Sequence, residues 1–547
     1  MKNTDDLLIP IYIMRNKIFK KYMVPSDLTI IEALEYLNNS GYEIKYRSSC
    51  KAGQCGSCAV TVDGLPKLAC KTKVKEDMKI EPLRNFDLIE DLVVNREEYY
   101  KAQKEFENWI HETSEVEEKE KEKEKDKNKN KNKNLKNKKD TLKILSDDEL
   151  FKSISDIGSV RNCIDCMSCM STCPARMYSD YMGPTFMRLL ARYARDARDN
   201  KDRVKEAFEK NLYNCTTCGR CIKVCPNNID TVHNAVEKLR ELSFKKGQYV
   251  ENHLDVRKNI TENPAKRTVT KPEAPKIGFL EDVIANPEKF NNEFTEKIVI
   301  ENKDNINKSV EYVAKNPKAT VALFTGCLMD YRLQELGMSG IRVLNAHGIS
   351  VIIPINQVCC GSPLIRTGQT DVAKELKEIN LAIFDKLFTD KSLDSIVTLC
   401  AGCGSTLKND YNEKQFVVKD ITELLVEKGL LKYKPCNLKV TYHDPCHLKR
   451  GQDIFEQPRI ILDSIPELEF IEMEIPDQCC GAGGGVRSGK PEVAYKIGEK
   501  KTEMILETKA DYVITVCPFC NYHIADCLSK VSDIPVMNIV KLLDKVI

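Results

Sequence analysis

The sequence predicts a multi-domain α+β protein, and three observations carry that prediction. The chain has 547 residues, well beyond the roughly 100–200 residues of an ordinary domain. Its 24 cysteines gather in tight sets instead of scattering along the chain. From Ala319 onward, short apolar strands each run into a cysteine, and the whole pattern occurs twice.

Charge and hydropathy exclude several function classes. Basic and acidic residues number 84 and 82, so no overall field favours nucleic acid or an anionic membrane, and no nucleic-acid partner is expected. No stretch approaches the roughly 20 apolar residues that a transmembrane segment needs. The N-terminal MKNTDDLLIPIYIMRNK places acids where a signal peptide has its positive region. A cytoplasmic location follows as the expectation. Thiols stay reduced there, and clustered cysteines read as metal ligands in preference to disulfides.

Residues 1–110 open with an alternating strand, Leu8 to Ile13, and a helix over Thr29–Asn39, ahead of a compact cysteine region. Residues 112–140 form a Lys/Glu/Asn tract with almost nothing to bury, the composition of a disordered charged linker. Residues 141–243 read as helical between two cysteine sets, with helix-period apolar positions in MRLLARYARDARDNKDRVKEAFEKNL. Residues 245–318 are polar and contain proline, and read as a connector. Residues 319–435 hold TVALFTGC, ISVIIPINQVCC and DSIVTLCAGC, and residues 436–547 answer with KVTYHDPC, EFIEMEIPDQCC and DYVITVCPFC. Cys327 corresponds to Cys446, Cys359 and Cys360 to Cys479 and Cys480, and Cys400 and Cys403 to Cys517 and Cys520. Strands alternating with helical stretches predict one α/β unit present in two copies.

Cys50, Cys55, Cys58 and Cys70 lie in SSCKAGQCGSCAVTVDGLPKLAC. Their C-x4-C-x2-C spacing is that of plant-type [2Fe–2S] ferredoxins, with Gly53 and Gly56 suited to a loop wrapping a cluster and a hairpin expected at Val62–Leu65. Four thiolates also suit zinc, but the long glycine-containing loop argues for the cluster. Cys163, Cys166, Cys169 and Cys173, then Cys215, Cys218, Cys221 and Cys225, each follow C-x2-C-x2-C-x3-C-P. In such pairs the fourth cysteine serves the other cluster. This assigns Cys163, Cys166, Cys169 and Cys225 to one [4Fe–4S] centre, and Cys173, Cys215, Cys218 and Cys221 to the other. Pro174 and Pro226 are expected to turn the chain away after each last ligand.

These N-terminal motifs, KAGQCGSC with KLAC and then two ferredoxin-type sets, resemble the iron–sulfur subunits of succinate dehydrogenases and fumarate reductases. The resemblance covers roughly residues 8–243 apart from the charged tract. Many such subunits carry a [3Fe–4S] centre where a non-cysteine residue replaces one ligand. Here Cys218 is present, and a [4Fe–4S] centre is expected. The C-terminal C…CCG…CxxC patterns resemble the cysteine-rich repeats of heterodisulfide reductase, and those of glycolate and glycerol-phosphate oxidoreductase iron–sulfur subunits. In heterodisulfide reductase each repeat holds a non-cubane [4Fe–4S] cluster on five cysteines. The resemblance implies two more clusters here, on Cys327, Cys359, Cys360, Cys400 and Cys403, and on Cys446, Cys479, Cys480, Cys517 and Cys520. A degenerate or zinc-holding repeat is the alternative.

The fold class expected is thus a β-grasp [2Fe–2S] ferredoxin domain, a helical two-[4Fe–4S] ferredoxin domain and a duplicated α/β cysteine-rich CCG domain. Joined in one chain, they resemble the thiol:fumarate reductase family of methanogenic archaea. That resemblance implies oxidation of coenzyme M and coenzyme B thiols, with electrons passed to a separate FAD-containing subunit that reduces fumarate. An electron-transfer subunit without thiol chemistry, of the succinate dehydrogenase or glycolate oxidase kind, is the competing expectation. Gly481, Gly483, Gly484 and Gly485 suit close backbone approach, to a cluster or less readily to a phosphate. His443 and His447 flank Cys446, either donating hydrogen bonds to a sulfur or packing and capping a helix. Cys436 and Cys527 are left as ordinary buried thiols.

Overall fold

The computed structural model describes residues 7–111, 147–263, 265, 277–302 and 308–547. The tract 112–140, read above as a charged linker, lies outside the described residues. The chain divides into two compact units. The first comprises Met1–Met177, Met182–Leu212 and Arg220–Leu239, and the second Tyr178–Tyr181, Tyr213–Gly219 and Arg240–Ile547. Among the described residues no helix is long and apolar enough to cross a membrane.

The first unit opens on a five-stranded sheet. Its order from edge to edge is Ile18–Pro25, Leu8–Arg15, Met78–Glu81, Ala59–Val62 and Leu65–Leu68. The central pair, Leu8–Arg15 with Met78–Glu81, is parallel and the other pairings are antiparallel. Alternation puts Ile9, Ile11 and Ile13 inside. The helix Ile30–Asn39 buries Ile30, Ile31, Ala33, Leu34 and Leu37 on one face. Thr29 is its cap: the Thr29 backbone N–H donates to Glu32 Oε2 at 2.7 Å, while the Glu32 N–H donates back to Thr29 Oγ1 at 3.4 Å. A helix between the two halves of a mixed sheet gives the β-grasp arrangement. The expected hairpin is present at Val62–Leu65.

The stretch read as one helical run is two helices, Pro184–Ala194 and Arg203–Glu209. Asp202 caps the second by accepting from the Lys205 N–H at 3.1 Å, which explains the break. Arg203 is fully buried and donates to the carbonyls of Phe106, Glu107 and Trp109 at 2.7, 3.1 and 2.8 Å, and to Asp199 at 2.8 Å. It thereby pins the chain leaving the sheet domain to the helical domain.

The second unit is built on two sheets. One has the order Val418–Asp420, Ser395–Thr398, Ala319–Phe324, Ile349–Pro354, Lys308–Ala314, Thr295–Asn302; the other runs Glu469–Phe470, Lys439–Tyr442, Tyr512–Thr515, Val536–Asn538. Within each repeat the four core strands are parallel and follow the order 2-1-3-4. Near-continuous burial along Ile349–Pro354 and Ser395–Thr398 is what a parallel strand covered on both faces requires.

The segment 245–318 is more than a connector. Its strands Thr295–Asn302 and Lys308–Ala314 extend the first repeat's sheet as an antiparallel edge pair. Lysine, glutamate and asparagine dominate this stretch and hide the alternation that buries Val310, Tyr312 and Ala314.

One close approach in the first unit is demanding. Gly56, between Cys55 and Cys58, has φ +67°, and a Cβ there would stand 2.4 Å from the Ile164 carbonyl oxygen and 2.7 Å from Cys166 Cα. The obstacle is backbone, so no side chain can move aside. Gly56→Ala is expected to destabilise the domain by about 1–3 kcal/mol and to lower the [2Fe–2S] content, read by thermal unfolding and by iron and sulfide analysis of anaerobic protein.

Candidate metal centres

In the first unit the backbone turns to meet Cys50. The N–H groups of Ala52, Gln54 and Cys55 all point at its Sγ, at 3.4, 3.3 and 3.3 Å. Three amide donors thus converge on one sulfur, as they do around a sulfur held in a cluster-binding loop. Cys55 is drawn down to about 6, chiefly by its hydrogen bond with Ser57. Burial pushes Cys58 up to about 11, and Cys70 lies within hydrogen-bonding reach of it. Four thiols converging on amide-rich backbone fit a [2Fe–2S] cluster.

Cys163, Cys166 and Cys225 lie close enough to Cys169 to act on its charge, although burial is what mainly pushes that thiol up to about 12. The structure therefore gathers the four cysteines that the crossed ligand pattern puts together. Both ferredoxin-type loops repeat one conformation: φ is positive at Asp165 and Met167, and at the corresponding Thr217 and Gly219. Such alternation aims successive amides into a common concavity. Of the other four cysteines, Cys173 and Cys221 belong to the first unit and Cys215 and Cys218 to the second. Pro174 does turn the chain, by opening the helix Pro174–Tyr178.

Ten cysteines of the second unit sit where open α/β sheets bind ligands, beyond the carboxyl ends of strands at the point where the strand order reverses. In the first repeat Cys327 follows strand Ala319–Phe324, Cys359 and Cys360 follow Ile349–Pro354, and Cys400 follows Ser395–Thr398 as the cap of the helix carrying Cys403. The second repeat copies this with Cys446, with Cys479 and Cys480, and with Cys517 capping the helix of Cys520. All are buried except Cys327 and Cys400, which are half-buried, and neighbours lie in mutual hydrogen-bonding reach. Cys359 reaches Cys327 and Cys360, and Cys403 reaches Cys360 and Cys400. Cys479 reaches Cys446 and Cys480, and Cys520 reaches Cys480 and Cys517; the Cys480 and Cys520 sulfurs are 3.7 Å apart.

Cys400 and Cys517 also reach each other across the two repeats. The approach is made by the helices Ala401–Asn409 and Cys446–Gln452, which meet at Gly404, Ser405 and Gly451. Asn409 and Gln452 tie them by donating to the carbonyls of Gly451 and Ala401 at 2.8 and 3.1 Å.

The donor set fits iron–sulfur clusters. In each repeat the second cysteine of the CC pair is held well below the ordinary thiol range, first by its neighbour's hydrogen bond: Cys360 by Cys359, and Cys480 by Cys479. Thiolates buried this deeply need a cationic centre to compensate their lost hydration. The CCG loop of the first repeat is fixed by Asn380, whose Oδ1 accepts from the Val358 N–H at 3.0 Å and whose Nδ2 donates to the Cys359 carbonyl at 3.3 Å.

Several functional groups were invisible to spacing arguments. The Arg450 side chain is only 4% exposed and donates to the Cys218 carbonyl at 2.6 Å and to the Asp477 carbonyl at 2.9 Å, and it pairs with the Asp477 carboxylate. It thus places a permanent charge beside Cys218, Cys446 and Cys479. Arg240, 0% exposed, donates to the carbonyls of Cys215, Arg366 and Gly484 at 2.7, 2.6 and 2.9 Å, joining the second ferredoxin-type loop to both repeats. Lys501 is buried near Cys480 and Cys520, and burial pushes its ammonium down to about 7. It donates to the Ile475 and Pro476 carbonyls at 3.1 and 2.9 Å, holding the segment that leads into Cys479.

The glycines of GAGGG press against protein backbone. A Cβ on Gly483 would stand 2.6 Å from the Thr216 carbonyl oxygen, and one on Gly484 2.5 Å from that of Cys215. Close approach is thus the role of these two, and what they approach is the loop of Cys215 and Cys218, whereas Gly481 meets the Ala494 carbonyl oxygen and Gly485 the side chains of Thr367 and His253. His447 Nδ1 lies 3.6 Å from Cys446 Sγ; burial opposes its charge, but the Cys446 thiolate outweighs burial and raises the imidazole. Cys527 is buried as expected, while Cys436 is only half-buried because it lies on the loop before strand Lys439–Tyr442.

Comparison with known proteins agrees with this layout. The sequence matches the 2Fe-2S iron-sulfur cluster binding domain family over residues 13–101 and the 4Fe-4S dicluster domain family over 156–226. It matches the cysteine-rich domain family twice, over 321–408 and 440–525. An iron–sulfur protein of Methanococcus maripaludis is 57% identical, covering 97% of each chain. One of the subunits of the fumarate reductase (CoM/CoB) of Methanothermobacter marburgensis is 40% identical over 96% of this chain and 95% of its own. One of the subunits of the dihydromethanophenazine:CoB–CoM heterodisulfide reductase of Methanosarcina barkeri is 34% identical over 62% of this chain and 78% of its own.

Arg450 offers a direct test of how the second unit is held. Arg450→Met would leave the Asp477 carboxylate and the Cys218 carbonyl without their buried cation, a loss of about 3–5 kcal/mol. Arg450→Lys keeps the charge without the planar fork and is expected to lose less. Melting temperatures of the anaerobic holoproteins check the ranking.

Proposed function

Because the chain belongs to the same iron–sulfur protein family as its fumarate reductase (CoM/CoB) relative, we propose that it is the thiol-oxidising subunit of a cytoplasmic fumarate reductase. Its substrates are the thiols of coenzyme M and coenzyme B, and its partner is a separate FAD-containing subunit that reduces fumarate to succinate. Joining two thiols in a mixed disulfide releases two electrons and two protons, and fumarate takes up both pairs on becoming succinate. When bound, one [2Fe–2S], two [4Fe–4S] and two non-cubane [4Fe–4S] clusters supply the one-electron carriers between the two reactions.

The observation that carries this reading is the meeting of two complete five-cysteine sets, with Cys400 of one repeat in reach of Cys517 of the other. A plain relay needs no such paired centre. Cys50, Cys55, Cys58 and Cys70 hold the [2Fe–2S] carrier, where Cys50 is exposed and available to a flavin partner. Thr216 adds to the environment of the second repeat, with its Oγ1 3.5 Å from Cys479 Sγ.

Serine is a poor ligand for a soft iron–sulfide centre. Cys479→Ser is therefore expected to abolish thiol-dependent fumarate reduction by the reconstituted complex, while dye-dependent fumarate reduction at the flavin survives. Cys55→Ser is expected to block the same overall reaction yet still reduce a dye from the coenzyme thiols. Full thiol-dependent activity in both Cys479→Ser and Cys359→Ser would remove the thiol chemistry and leave an electron-transfer role alone.

A further inference from the structure

His443 follows strand Lys439–Tyr442 directly, with its backbone N–H donating to the Ile514 carbonyl at 2.9 Å. The side chain is 1% exposed, neither ring nitrogen finds a hydrogen-bond partner of good geometry among the described residues, and the Cys480 sulfur lies within looser hydrogen-bonding reach. A buried imidazole left in that condition is costly, because its lost hydration is not replaced. A ring nitrogen of His443 and the sulfurs of Cys480 and Cys520 all lie within 4.8 Å of one another. The imidazole thus faces two members of the second repeat's cysteine set.

The duplication supplies an internal comparison. His443 stands three residues before Cys446, and the residue three before Cys327 is Phe324. Phe324 packs in one apolar cluster with Cys360 and Cys403, the counterparts of Cys480 and Cys520. The same place in the fold therefore faces the same pair of cysteines in both copies, once through a hydrocarbon ring and once through a metal-binding one. Packing does not require the imidazole there, since phenylalanine fills the position.

We infer that His443 is an imidazole ligand to iron in the second repeat's cluster, so that the two repeats hold chemically different centres. His447 has a different neighbour, Cys446, and does not face this pair. An imidazole added to the five thiolates changes the electron density at its iron without changing the number of thiolates, so the two centres differ in potential. The inference rests on the reading that both repeats hold clusters.

The test is pulsed EPR on anaerobically purified full-length holoprotein labelled with 15N-histidine, poised so that the second-repeat centre is paramagnetic, with iron analysis alongside. The expected result is hyperfine coupling from a directly bonded nitrogen that disappears in His443→Phe and His443→Cys and persists in His447→Gln. His443→Phe, which copies the first repeat, is also expected to shift the midpoint potential of that centre. His443→Cys keeps a ligand in place, so that iron retained without nitrogen coupling supports the inference even where His443→Phe fails to assemble. A full iron complement with no bonded nitrogen, or a coupling that survives His443→Phe, overturns the inference and leaves the cluster reading standing. Iron confined to the N-terminal motifs overturns both.

Discussion

The second unit depends on one electrostatic constraint: many thiols are brought together inside a low-dielectric core. A buried thiolate repels its neighbours and has lost its water, so the arrangement is stable only around a positive centre. The fold meets the constraint by placing the cysteines beyond the carboxyl ends of parallel strands, several of them in the first turn of a helix. Cys400 and Cys517 cap the helices Ala401–Asn409 and Pro518–Leu528, where free amides and the positive end of the helix dipole favour anionic sulfur. The strand order 2-1-3-4 opens the crevice that holds them.

The buried cations follow from the same constraint. Arg450, Arg240 and Lys501 each donate to backbone carbonyls of cysteine-bearing loops or of the segments that lead into them. They hold the loops in place, and the two arginines add permanent positive charge beside the sulfurs. The glycines of the GAGGG loop complement them by letting the second repeat lie directly on the backbone of Cys215 and Thr216. Rigid support of this kind keeps a redox centre in one geometry across its charge states.

Much of this was legible in the sequence because cysteine spacing is tied directly to chemistry. The C-x4-C-x2-C loop, the two C-x2-C-x2-C-x3-C-P sets and the duplicated CCG pattern each mark out a cysteine set, and short apolar runs before the cysteines announce parallel strands. The β-grasp strand at Leu8 and the Thr29-capped helix were readable for the same local reasons. The edge strands within 245–318 were not, since an edge strand exposes one side and its polar residues mask the alternation. Arg240 and Arg450 were also hidden, because an arginine looks like a surface residue until the carbonyls it serves are known. His443 was legible as a neighbour of Cys446, and the repeat itself marks it further, as a position beside matching cysteines that differs between the copies.

The central claim is that the repeats are iron–sulfur sites and that the whole chain is a five-cluster protein. Mössbauer spectroscopy of anaerobically purified 57Fe-enriched protein, with zinc measured on the same sample, addresses it most directly. The expected spectrum contains iron for one two-iron and four four-iron clusters, with two of the latter showing inequivalent iron sites unlike those of cubanes. Spectra limited to one [2Fe–2S] and two cubane signals, with zinc bound in stoichiometric amount, would contradict it.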